Sequence, residues 1–226
     1  MYCGNNPIKF VDPKGMKWKD PKEAELLANR TQKTMTKIEK KNTKIDKSIS
    51  SGKLLEKQLK KQEDLKMSNN VRISNLKQSL KDIELLGKDE NTYAFRHTEG
   101  GEHHVVKEDG VVYIETSSDA FSIHEITHVR QSIENGGLSF SNNRLKNIGS
   151  GIKGEKGFEI RTNAEIEAYK MQYSYEPSSY VGRANTVMDI TAESVGNIKD
   201  NNGQLVYPFI KQGVEFINQR NAILGR

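Results

Sequence analysis

Cysteine is nearly absent: Cys3 stands alone among 226 residues. No intrachain disulfide and no multi-cysteine metal site can form. Long apolar runs are missing too, and none approaches the roughly 18 residues that a membrane helix needs. No basic-then-apolar leader opens the chain, so any export is expected to depend on something outside it. Hydrophobic residues make up 34% and charged residues 29%. The first figure is low for one globular core and predicts an exposed, extended element beside a smaller domain. Nucleophile-elbow, P-loop and dinucleotide glycine patterns do not occur.

Acidic residues are scarce in only one stretch. Residues 17–88 carry 19 Lys+Arg against 10 Asp+Glu, whereas 89–226 are net acidic, within an overall charge of +5. This split excludes a globally basic nucleic-acid binder. The lysines are scattered around their helices, and Trp18 is the only aromatic residue among them. They are expected to form a solvated face, and no nucleic-acid partner is expected. The rival reading is a basic arm contacting nucleic acid or an anionic membrane.

Residues 1–16 are turn chemistry, with Asn5-Asn6-Pro7 and then Asp12-Pro13-Lys14-Gly15. The run Tyr2-Cys3-Gly4-Asn5-Asn6-Pro7, followed by Phe10-Val11-Asp12-Pro13-Lys14-Gly15, resembles the closing motif of RHS repeat-associated cores. In that family a large β-repeat shell ends in this motif and a variable toxin domain follows. The resemblance implies that residues 1–16 are a core remnant or linker joined to an N-terminal RHS shell. It also implies a protein that is secreted or delivered into a target cell, with a cognate immunity protein protecting the producer.

Residues 17–88 read as a helical hairpin. Asp20 is placed to cap, Pro21 to open the first turn, and Glu23 to complete a capping box. Ala28, Thr31, Met35, Ile38, Asn42, Ile45 and Ile49 then recur in steps of three and four. Ser50-Ser51-Gly52 ends this helix. A second seam runs through Leu55, Leu59, Ile73, Leu76, Leu80 and Ile83 to Gly87, predicting an antiparallel pair.

Residues 89–226 read as the globular domain. Strands are expected at 92–96, 104–106 and 110–116, with turns at Gly100-Gly101 and Glu108-Asp109-Gly110. A helix from Ser118 or Asp119 to about Glu134, terminated by Asn135-Gly136-Gly137, carries His124-Glu125-Ile126-Thr127-His128. A Gly/Ser/Asn loop leads to a second helix from Thr162 or Asn163 to Tyr175, and two short helices are expected after 186. The two histidines are four apart, so they project from one face and can share a tetrahedral zinc. Glu125 beside them is suited to take a proton from water and deliver it to a leaving group. Ile123 and Val129 supply the apolar packing of a helix against a sheet. His97, His103 and His104 fall on strands or turns and read as non-ligands.

Zinc needs a third protein ligand while one position stays open for water. No histidine follows His128, so that ligand should be an acid on the second helix, in Ala164-Glu165-Ile166-Glu167-Ala168-Tyr169. The arrangement resembles the gluzincins, in which HExxH is followed by a Glu on a neighbouring helix. Several small members place that Glu three residues before an alanine, as Glu165 stands to Ala168. Thermolysin-like members place Glu and Ala side by side, which would select Glu167. The two acids lie about 200° apart around a helix, so only one can face the metal. Glu165 is the expected ligand and Glu167 the alternate. The same two runs resemble zincin-type toxin domains attached to RHS proteins. The Asp that many gluzincins carry four residues after the ligand Glu is missing, with Tyr169 and Met171 in those places, so no histidine-orienting partner is identifiable. Tyr169, Tyr173, Tyr175 and Arg161 are oxyanion donors by residue type only.

The expectation is an α+β chain: a remnant at 1–16, a lysine-rich hairpin at 17–88 and a zincin-like domain at 89–226. That domain would combine a small antiparallel sheet with the two motif helices. In zincins the strand before the motif helix forms the edge that pairs with substrate. The expected activity is zinc-dependent hydrolysis of protein or peptide. The alternatives are an amidase acting on cell-wall peptide, a degenerate zincin whose hairpin binds a partner, and a nuclease acting through the basic arm.

Overall fold

Pro21 with Asp20 before it starts a helix where the chain signals one. In the computed structural model, which describes residues 18–99, 102–180 and 182–224, the Asp20 carboxylate accepts from the Lys22 amide at 2.9 Å and α1 runs Pro21–Ser50. The motif at 1–16 and the Gly100-Gly101 turn lie outside the described residues. After a turn in which Gly52 adopts φ +66°, α2 spans Glu56–Lys88. The α1 seam is buried as its spacing requires from Ala28 through Ile45. Its polar member Asn42 accepts from Asn69 at 2.8 Å and donates to Asn70 at 2.9 Å. A buried asparagine with only these partners fixes the antiparallel register.

The second seam holds only in its later half. Leu76 and Ile83 are fully buried, but Leu55 is 72% exposed. The start of α2 reaches past the apolar part of α1, and Ser68, Asn69, Ser79 and Asp82 supply much of the buried face. The lysines at 22, 33, 37, 40, 41, 44 and 47 face solvent.

The sheet contains β1 (Thr92–His97), β2 (His104–Glu108), β3 (Val111–Thr116), β4 (Phe140–Ser141) and β5 (Arg144–Leu145). The expected antiparallel sheet is instead mixed, in the order β1-β3-β2-β5-β4, with β1 parallel to β3. Asp109 (φ 48°) and Gly110 (φ 79°) close a tight β2–β3 hairpin, since two left-handed residues match the twist of adjacent strands. Strand β3, directly before the motif helix, is paired on both sides. It therefore cannot be the open edge that receives substrate. The hairpin register commits one side of β3 to β2, and β1 takes the other.

Helix α3 (Asp119–Glu134) lies across the sheet, and α4 (Gly154–Tyr175) packs on α3. Helix α4 begins two turns before the expected Thr162. The later chain forms two 3₁₀ turns, α5 (Ala192–Gly196) and α6 (Pro208–Leu224). Hairpin and sheet share one core. Trp18, Ala24, Leu27, Ile83 and Leu86 pack with Tyr93, Val105, Val112, Ile114, Ile123, Ile126 and Val129. The Trp18 ring stacks on Phe95 at 4.9 Å and donates to the Ile83 carbonyl at 3.3 Å. A second core joins Tyr169, Tyr173 and Tyr180 to Val187, Ile190, Val195, Ile198 and Ile210. Among the described residues no helix is long and apolar enough to cross a membrane.

Candidate metal centre

Helix α3 is buried on almost every side, so its polar residues need internal partners. Ile123, Ile126 and Val129 face the sheet. That leaves His124, Glu125 and His128 on the opposite side. Asn135 and two left-handed glycines, Gly136 and Gly137 (φ 105° each), end the helix, and the Gly137 amide returns to the Ser132 carbonyl at 2.9 Å.

His124 and His128 bring their Nε2 atoms to 3.2 Å of each other. Glu165, on α4, places Oε2 at 3.5 Å from His128 Nε2 and 3.8 Å from His124 Nε2. A tetrahedral ion with Zn–N about 2.0–2.1 Å sets its ligand atoms about 3.3–3.4 Å apart. The three donors thus have the spacing of three corners of such a site. His124 and Glu165 are 6% and 3% exposed. Oε2 of Glu165 is buried without a hydrogen-bond partner, although Oε1 accepts from Asn147 at 3.3 Å. A buried carboxylate oxygen aimed between two imidazole nitrogens is costly unless a cation sits there or a histidine is protonated. These residues can hold a metal ion.

The other acid, Glu167, lies elsewhere. It pairs with Arg130 at 2.7 Å and accepts from Gln131 Nε2 at 2.8 Å. Face selection on α4 causes the difference. Ala164, Glu165, Ala168 and Gln172 are buried, while the Glu167 side chain is 42% exposed.

One histidine partner hidden in the sequence is a glutamine. Gln131 Oε1 meets His128 Nδ1 at 2.9 Å, and its Nε2 donates to the Ala164 carbonyl at 3.1 Å. Gln172 is fully buried and donates to the Ser179 carbonyl at 2.8 Å. Its Oε1 and the His124 Nδ1 are both buried without a hydrogen-bond partner. The Gln131 contact fixes which His128 nitrogen faces a metal. A second missed residue, Tyr207, places its hydroxyl 3.1 Å from that of Tyr169, whose ring meets His124.

Burial dominates the electrostatics. It lowers His124 to about 3, helped by the neighbouring His128. Burial also opposes the His128 cation, but Glu165 beside it prevails and pushes His128 up to about 9. Burial raises Glu125 to about 7. Burial opposes the Glu165 charge as well, yet His128 and His124 hold that carboxyl below its usual range. Glu165 and His128 thus favour each other's charged forms, while burial holds Glu125 above the usual carboxylate range.

Of the donors named by residue type, Tyr169 alone reaches the site. Its ring meets His124 edge-on at 4.6 Å. Tyr173 donates to the Asn185 carbonyl, Tyr175 to Asp119 and Arg161 to the Gly149 carbonyl. His104 pairs with Glu115 at 2.7 Å, and His103 stacks on Phe121 at 3.8 Å. His97 is exposed at the end of β1. None of the three belongs to the His124, His128, Glu165 group. No protein-family model matches the chain, and no curated protein and no solved structure is found similar to it.

Proposed function

We propose that the chain is a zinc-dependent hydrolase that cleaves peptide bonds, with His124, His128 and Glu165 as zinc ligands and Glu125 as general base and acid. The observation that carries the reading is the convergence of the three buried ligand atoms, with Glu165 Oε2 unpartnered between the imidazoles. Two imidazoles and one carboxylate form the donor set of a catalytic zinc, which leaves one position open. Zinc in such a site acts as a Lewis acid on water and on the scissile carbonyl. Glu125 follows the first ligand on α3 and is raised by burial to about 7. A carboxylate in that range accepts a proton from the attacking water near neutral pH and passes it to the leaving amine. Gln131 holds the His128 imidazole through this transfer.

The likeness of residues 2–15 to the RHS closing motif extends the reading. The chain would be the effector part of a larger secreted or delivered protein, acting on a protein of a competing cell and neutralised by a cognate immunity protein.

The test is elemental analysis of the purified protein beside His124→Ala, Glu165→Ala and Glu167→Ala, with peptide-library cleavage by wild type and Glu125→Gln. One zinc per chain is expected in wild type and Glu167→Ala, and none in the other two. Glu125→Gln should keep zinc and lose about 10²–10⁴-fold in turnover. A wild type that refuses zinc, or cleavage that survives in Glu125→Gln, would sink the proposal.

A further inference from the structure

Strand β1 is an edge of the sheet. Strand β3 lies on one side, and on the other Trp18 alone among the described residues pairs with it, in parallel with Tyr93. The backbone groups of successive residues in such a strand alternate between its two sides. The Thr98 amide donates to the Thr116 carbonyl at 3.1 Å, so residues 94 and 96 also turn towards β3. Tyr93 turns the other way, and its carbonyl accepts from the Lys19 amide at 2.7 Å. The chain then leaves this edge, because Asp20 and Pro21 start α1. By the same alternation the N–H and C=O of Phe95 and His97 point to the vacated side. Among the described residues they have no hydrogen-bond partner there. Two donors and two acceptors therefore stand in a row about 7 Å long.

A wall faces this row. Glu23, Leu26, Leu27 and Arg30, spaced along one face of α1, line a cleft of about 300 Å³ together with Phe95 and His97. Ser122 of α3 lines it too. His124 and His128 lie about 200° and 240° around the helix from Ser122, so the cleft and the metal centre are on different sides of α3. The charges in the cleft answer one another: Arg30 pairs with Asp119 at 2.9 Å and Arg96 with Glu108 at 2.8 Å. Leu26, 50% exposed on α1, and the half-buried Phe95 supply apolar surface. Charge complementarity therefore selects an uncharged, apolar side chain. Helix α1 leaves room for one bare strand beside β1, which excludes the edge of a folded sheet with its own flanking elements.

We infer that the cleft between β1 and α1 is a peptide-binding site, which takes an extended segment of a partner polypeptide as an added strand on Phe95 and His97, with an apolar side chain between Leu26 and Phe95. Main-chain hydrogen bonds supply affinity in this mode, and the pocket for alternate side chains supplies selectivity. The inference is independent of the metal reading.

The test is residue-resolved amide hydrogen exchange on the full chain, alone and with a random-sequence decapeptide mixture at millimolar concentration. The same mixture with N-methylated amides is the control. In the free protein the Phe95 and His97 amides should exchange much faster than that of Arg96. The peptides should slow both, and the N-methylated mixture neither. His97→Pro removes one outward donor and spares the β1–β3 ladder, since proline is tolerated where an edge N–H faces away from the sheet. It should weaken peptide binding about 3–10-fold, the worth of one hydrogen bond. Leu26→Arg, at an exposed position on the opposite wall, should weaken it as well. Zinc content should be the same in both variants and wild type. Phe95 and His97 amides already protected in the free protein would mean that the chain fills its own cleft, and would overturn the inference. So would exchange that the peptides leave unchanged, slowing by the N-methylated mixture, or wild-type peptide binding in both variants. A wild type without zinc would overturn the metal reading alone.

Discussion

Gln131→Met is the substitution that best separates a metal-orienting contact from a structural brace. Gln131 is 4% exposed. It meets His128 Nδ1 at 2.9 Å, the Ala164 carbonyl at 3.1 Å and Glu167 Oε2 at 2.8 Å. Methionine has similar length and no amide, so the contacts are lost without opening a large cavity. Glu167 keeps Arg130 and partial solvent access, so its loss is small. The Ala164 carbonyl lies inside α4, within reach of the helical ladder. The largest cost falls on His128 Nδ1, which becomes a buried polar atom without a partner, at about 1–3 kcal/mol. With the two weaker contacts, the metal-free protein should lose about 2–3 kcal/mol.

Zinc affinity is the second readout. Freeing the imidazole should weaken binding about 10–100-fold, equivalent to about 1.4–2.7 kcal/mol. Urea unfolding of the metal-free protein reads the first quantity and chelator competition the second. Gln131→Glu serves as the complement. Its carboxylate can still accept from His128 Nδ1 but meets Glu167 as a like charge, so it should retain zinc while losing stability. Were Gln131→Met to lose stability and keep wild-type zinc affinity, Gln131 would be a tie between α3 and α4, and the assignment to His128 would be wrong.

A different buried acid, away from the metal centre, makes its own contribution to the pH response. Asp82 is 1% exposed and 3.4 Å from Arg130, and burial raises it from 3.8 to about 6 despite the Gln78 hydrogen bond and Arg130. Because the folded pKa is the higher one, this stability term is full below about pH 4 and is lost as pH rises through 6. Asp82→Asn should be near neutral at pH 4 and gain up to about 3 kcal/mol at pH 7.5 by denaturant unfolding. Destabilisation at pH 7.5 would mean that the pairing with Arg130 outweighs the burial cost. A Cβ on Gly157 would meet the Ile152 carbonyl oxygen at 1.9 Å, whereas one on Gly151 meets nothing within 4 Å. Gly157→Ala should therefore cost about 1–3 kcal/mol and Gly151→Ala almost nothing, with equal melting temperatures refuting the packing described for that loop. The fragment 89–226 should not fold alone, since it would expose Tyr93, Val112 and Ile114 and strip α4 of Arg72 and Asn75, which donate to the Ser174 carbonyl and hydroxyl. A sharp near-ultraviolet dichroism spectrum from that fragment would contradict the shared core.

Local patterns made the helices legible, because caps and spacing act within a turn or two. Asp20-Pro21, the seam from Ala28 to Ile45 and the Asn135-Gly136-Gly137 stop all needed only near neighbours. His124 and His128 shared a face for the same reason. The order of the strands was not legible: β1 lies parallel to β3 through contacts that no window of the chain contains. Glu165 and Glu167 were separable only as opposite faces of one helix. Which face is buried depends on α3, whose Gln131 reaches the Ala164 carbonyl across 33 positions. Gln131 and Asn147 carry no motif of their own, and their residue types are common on surfaces. Each becomes informative once a buried imidazole or carboxylate is known to need a partner. Counting the lone pairs and protons of the candidate ligands is therefore the step that turns a motif into a site, and it requires the fold first.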